Sequence, residues 1–173
     1  MKLSKLVSTT LPAALVLCSA SALASSSFEG LKVAVIKNAV GSSNVVAGDY
    51  HQVIRESEQK STTADEFSTT MSLCAAHIKT YKLEAAERSC SDAIEFIPAK
   101  ATRGRHGKLL KALAYSNRGI ARYLNKNHDG AFEDFVKATS ISDDKIITDN
   151  VEYFKSALIK TVTSTETPTE IAD

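Results

Sequence analysis

The sequence predicts an all-α protein, a short stack of antiparallel helix hairpins closed by a C-terminal capping helix. Three observations carry this. Apolar and small residues over 108–158 recur at every third or fourth position, the spacing of a helix with one buried stripe. A polar cluster at 125–130, ending in Asp129 and Gly130, breaks that rhythm once and marks a turn between two helices. The same order of small and large residues occurs twice at a constant offset of 45: Cys74 with Gly119, Ala86 with Ala131, Cys90 with Phe135, Ala93 with Ala138, and Pro98 with Asp143.

Each element follows from local chemistry. Lys2 and Lys5, a short apolar core over 11–18 and the small-x-small exit Ala22, Leu23, Ala24 read as a signal peptide over residues 1–24, with cleavage expected after Ala24. The apolar core is far short of the roughly 20 residues that span a bilayer, and Cys18 leaves with it. Residues 25–47 form an N-terminal segment. Within it, residues 31–36 fit either an extended stretch or the start of a helix, and the extended reading is preferred. Gly48, Asp49 and Tyr50 then read as a turn, with residues 50–60 as the second helix of a degraded copy.

In the earlier full copy the turn falls at Tyr81, Lys82 and Leu83. The surplus between copies sits in a basic, glycine-containing loop over 99–107. A helix is expected over 108–124 and a second over 131–139, with Asp129 placed to cap its open amides. Residues 143–158 read as the capping helix. Asp143 and Asp144 stand at its start, where acidic side chains favour the helix dipole. The repeated region therefore spans 48–158. The tail over 159–173, rich in Thr and Glu with Pro168, lacks an apolar face and reads as disordered.

Composition narrows the function. Loss of Lys2 and Lys5 takes 21 basic residues to 19, against 20 acidic. That balance argues against a nucleic-acid binder, which neutralises phosphates with clustered Lys and Arg. Two cysteines remain, Cys74 and Cys90, and an even pair in an exported chain is most simply a disulfide. Two free buried thiols are the alternative; there is no Cys-x-x-Cys motif, and no nearby histidine at ligand spacing supports zinc. The midpoint of 74 and 90 falls inside the predicted turn, so in an antiparallel hairpin the two face each other.

The run over 112–119, with Tyr115, Arg118 and Gly119, followed by Ala131, Phe135 and Ala138, resembles the tetratricopeptide repeat (TPR) family. It is similar in particular to small exported bacterial TPR proteins in which a Leu-Cys-Ala-Ala helix precedes a cysteine-containing partner helix. Arg122 stands where the first-helix aromatic is expected and Asp143 where proline is. The resemblance implies an α-solenoid whose first helices line a groove for an extended peptide or a partner helix. The groove would be faced by Met71, Ala75 and Ile78 in the earlier unit, and by Leu113, Ser116, Ile120, Tyr123 and Leu124 in the later one; the alternative is that several of them fill the core or meet the terminal cap. Asn117 matches the central asparagine of the carboxylate clamp in chaperone-binding TPR domains. The clamp itself is rejected, because Met71, Ala75, Ile147 and Val151 stand where charged or amide donors are required.

No motif points to catalysis, a metal or a cofactor. Gly104 to Lys108 is two residues short of a phosphate-binding loop, and Leu109 replaces the hydroxyl that would reach magnesium. Lys100, Arg103, Arg105, Lys108 and Lys111 read as a solvated basic stretch, with an acidic partner as the alternative. His51, His77, His106 and His128 are scattered, without metal-ligand spacing. The expectation is a non-enzymatic protein-interaction module of the periplasm or cell envelope, binding an unidentified protein or peptide. A structural subunit that self-associates or joins a larger assembly is the first alternative. An accessory small-ligand protein, which would need a closed apolar pocket, is the second.

Overall fold

The computed structural model describes residues 30–59, 66–97 and 103–165. The expected signal peptide, Cys18, Pro98 and Lys100 lie outside the described residues. Seven helices and no strand occur among the described residues: α1 Ser42–Ala47, α2 Tyr50–Gln59, α3 Glu66–Lys79, α4 Leu83–Glu95, α5 Arg105–Leu124, α6 His128–Ile141 and α7 Lys145–Thr165.

Side-chain pairings fix how they run. Cys74 meets Cys90 and His77 meets Ser89, so α3 and α4 are antiparallel around a turn in which Tyr81 takes φ 56°. Arg118 meets Ser91 while Arg122 meets Glu87, which sets α5 antiparallel to α4. Arg118 also meets Asp134, and Arg122 the Gly130 carbonyl, which sets α6 antiparallel to α5. Ser116 meets Asn150 and Tyr123 meets Phe154. Helices α5 and α7 therefore point the same way.

The small residues act where backbones close up. Gly119 is buried, and a β-carbon there would stand 3.1 Å from the Phe135 ring. Glycine is unfavourable inside a helix, yet here it lets α6 seat Phe135 directly on α5. That ring stacks at 5.1 Å on Phe154 of α7. One cluster joins Cys74, Ile78, Cys90, Ile120, Ala131, Phe135 and Phe154, with Leu31 from the N-terminal segment.

Between α4, α5 and α6 the contact is polar instead. Arg118 forks onto both oxygens of Asp134 at 2.8 and 2.9 Å, and Arg122 reaches Asp134 at 3.0 Å and Glu87 at 2.7 Å. Burial works against the Arg118 charge, but hydrogen bonding and attraction from Asp134, with Tyr115 and Glu87 adding, leave its pKa above the ordinary value. Arg122 occupies the place of an expected aromatic, and the carboxylates of both flanking helices are what make a cation fit there.

Several boundaries differ from expectation. Helix α5 starts at Arg105 rather than 108, because Gly104 is extended and its carbonyl accepts from the Lys108 N–H at 3.0 Å. The glycine-containing loop is correspondingly shorter. Helix α6 starts at His128, and its cap is Asn127, whose side chain accepts from the Gly130 N–H. Asp129 lies in the first turn, where its charge still favours the dipole. Asp144 caps α7 by accepting from the Ile146 N–H at 2.9 Å. The tail is not irregular from 159, since α7 runs on to Thr165. Residues 42–47 within the N-terminal segment are helical.

Cys74 and Cys90 are fully buried with α-carbons 4.9 Å apart, and their sulfurs are bonded across 16 positions of chain. Closing a loop of that size restricts the unfolded chain. Reduction is expected to lower stability by about 3 kcal/mol, read as a shift in the urea midpoint with and without reductant.

Candidate functional site

Residues 31–36 lie in neither helix nor strand; they cross the faces of α7, α5 and α3 in that order. Leu31 packs into the cluster around Ile120 and Phe154. Val33 and Val35 pack against Ala75, Ala76 and Val53, and Ile36 against Phe67, Met71 and Ala114. An extended chain pressed onto helices must still pair its peptide groups, because a buried unpaired N–H or C=O is costly.

Two asparagines answer that demand. The Ala34 N–H donates to Asn117 Oδ1 at 2.8 Å, and Asn117 Nδ2 donates back to the Ala34 carbonyl at 2.9 Å. Two residues earlier, the Lys32 N–H donates to Asn150 Oδ1 at 2.7 Å, and Asn150 Nδ2 donates to the Lys32 carbonyl at 2.9 Å. Asn150 Nδ2 also reaches Ser116 Oγ at 3.0 Å, and both asparagines are fully buried. The side-chain amide presents the donor and acceptor that a neighbouring strand would present.

The ends of the segment are marked too. Gly30 has φ 109°, and a β-carbon there would overlap the Tyr153 ring. Lys32 Nζ pairs with Asp149, which also accepts from Lys145 Nζ at 2.8 Å. Hydrogen bonds from Lys145 and then Lys32 hold the Asp149 carboxyl below its ordinary pKa.

The residues expected to face an open groove are brought together, but under this segment. Met71, Ala75, Ile78, Ser116, Asn117 and Ile120 are fully buried. Leu113, Tyr123 and Leu124 are partly buried, Leu113 against the same cluster as Ile36 and the other two against the cluster that holds Leu31. The groove lining is thus part of the core, because the chain's own N-terminal segment lies on it. Asn150 was not among the expected residues. Its signal was present: Ile147, Asn150 and Phe154 stand at helical spacing on the buried stripe of α7, and an amide on such a stripe needs an internal partner.

The remaining expectations fall elsewhere. Arg105 and Lys108 line a shallow depression with Asp143 and Asp144. Arg103, Arg105 and Lys108 are exposed. His51, His106 and His128 are exposed and far apart in the chain, while His77 faces Ser89. Among the described residues no group of His, Cys, Asp and Glu is arranged to hold a metal ion, and no helix is long and apolar enough to cross a membrane.

Replacing Asn117 with Ala strands the Ala34 N–H and C=O in the core. Asn117→Ala is expected to cost about 3 kcal/mol in urea unfolding. The Asp149 tie has a pH sign. A carboxyl whose folded pKa is depressed stabilises above its usual value, here 3.8, and that contribution is lost as pH falls through the lowered value. Protection of the Lys32 amide against hydrogen exchange should weaken over that acidic range, and Asp149→Asn should remove the dependence.

Set against protein-family models, curated proteins and solved structures, the chain matches none, so the geometry of this groove is what bears on its function.

Proposed function

We propose that the chain is a non-enzymatic protein-interaction module, a TPR-like stack of helix hairpins that binds a polypeptide segment along the faces of α3, α5 and α7. One observation carries the reading: those faces already hold an extended stretch of polypeptide by its main chain, through Asn117 and Asn150. Supporting the repeat assignment, α5 and α7 run in the same direction and Ser116 meets Asn150, 34 positions on, the length of one such repeat. The signal-like residues 1–24 together with the bonded cysteines support export to the periplasm or beyond.

A second reading rests on a different surface. Phe132 and Val136 of α6 are 54% and 50% exposed. They border an apolar depression with Val151 and Phe154 of α7. Such a face favours a structural subunit that stacks on other copies or on an assembly.

Cross-linking of the exported protein in its native envelope, followed by mass spectrometry, tests the first reading. The unreduced protein is expected to begin at Ser25 and to yield a peptide joining residues 74 and 90. A partner captured by wild type should be lost from an Asn117→Ala, Asn150→Ala variant that keeps its helical circular dichroism. Equal recovery from both would remove the groove as the contact. Recovery abolished instead by Phe132→Ser, Val136→Ser would favour the stacking reading.

A further inference from the structure

The N-terminal segment is held in a way that another polypeptide can imitate. A residue in an extended chain sends its N–H and C=O to one side, and the residue two positions on shares that side. Asn117 and Asn150 use this alternation: they pair with residues 34 and 32 through main-chain atoms alone. Side chains add to this grip: Ala34 is buried, Leu31 fills the cluster at Ile120, Val33, Val35 and Ile36 pack against the neighbouring clusters, and Lys32 reaches outward to Asp149.

The segment is also simple to withdraw. It belongs to no helix, and its following connection to α1 is a short turn in which Asn38 and Gly41 carry positive φ of 64° and 78°. Departure would leave two amides and an apolar floor formed by Met71, Ala75, Ile78 and Ile120. Such a floor calls for an extended main chain to replace the one that left.

Resting on the groove reading above, we propose that residues 30–36 are an exchangeable occupant. The ligand they exclude is an extended segment of another polypeptide with the same chemistry. It carries an N–H at both paired positions, a basic residue at the first, a small residue at the second, and an aliphatic residue just before the basic one. The resident segment sets the affinity: a visiting peptide sees only the fraction of molecules whose groove is open.

The test uses the full exported chain and a fluorescein-labelled synthetic peptide spanning residues 29–37. An Ala34→Glu variant, whose own segment no longer fits, should bind this peptide at least about tenfold more tightly than wild type does. Adding Asn117→Ala should abolish the gain. An unlabelled peptide with proline in place of the alanine, lacking the paired N–H, should fail to compete. A folded Ala34→Glu protein that binds no peptide, or a proline peptide that competes fully, would overturn the proposal. Hydrogen exchange of wild type covers the case in which Ala34→Glu does not fold. The Lys32 and Ala34 amides should then exchange by local opening, faster than buried amides of α5. Exchange of both groups only at the rate of global unfolding would equally overturn it. Were the peptide to fail while the envelope partner still depended on Asn117 and Asn150, the exchange idea would fall and the groove reading would stand.

Discussion

The structure depends on a single requirement: the peptide groups of residues 32 and 34, laid across three helices, must be paired without a neighbouring strand. Asn117 and Asn150 meet it from within α5 and α7. Because each asparagine is itself wholly buried, the dependence is mutual. Without the segment the amides lose their partners, and without the amides the segment cannot lie where it does. The hydrophobic contacts of Leu31, Val33, Val35 and Ile36 then follow from that placement, and they connect clusters that would otherwise meet only through helix packing.

The other contacts of the hairpins divide by chemistry. Between α3 and α4 a disulfide occupies the position that glycine and phenylalanine occupy between α5 and α6. Both solutions permit close approach, one by a covalent bridge and the other by removing a β-carbon beneath a ring. Between α4, α5 and α6 the two arginines share Asp134 and Glu87. Removal of Asp134 would leave Arg122 with Glu87 but Arg118 without a carboxylate partner, which is costlier than never having placed that cation there. Polar specificity on this side and main-chain recognition on the Asn117 side thus arise from adjacent residues of α5.

Much of the architecture was legible because it is written in local spacing. The buried stripe of α5 and the break that follows Leu124 both reflect burial on one helical face, which leaves a trace in composition. Pairing of Cys74 with Cys90 was legible for the same reason: distance from a turn determines which residues of a hairpin are level. The cap of α6 was misplaced onto Asp129 because Asn127 also carries a capping side chain, and only backbone geometry selects between them. The tail was read as disordered from 159 because it lacks an apolar face, whereas α7 continues to Thr165. Of the residues expected along a groove, Met71, Ala75, Ile78, Ser116, Asn117 and Ile120 are fully buried, the alternative that the spacing alone left open. Asn150 was passed over although it stands on the buried stripe of its helix.

By itself the sequence determined the two hairpins, α3 with α4 and α5 with α6, and the meeting of the two sulfurs, since each depends on residues near one another along the chain. Only the tertiary structure decided what covers the inner faces of α3, α5 and α7. Residues 32 and 34 lie 118 and 83 positions from the asparagines that hold them. Those asparagines bind peptide groups, which every residue other than proline presents alike. A contact made through main chain at such distance leaves no pattern in side-chain identity, so its address exists only in three dimensions.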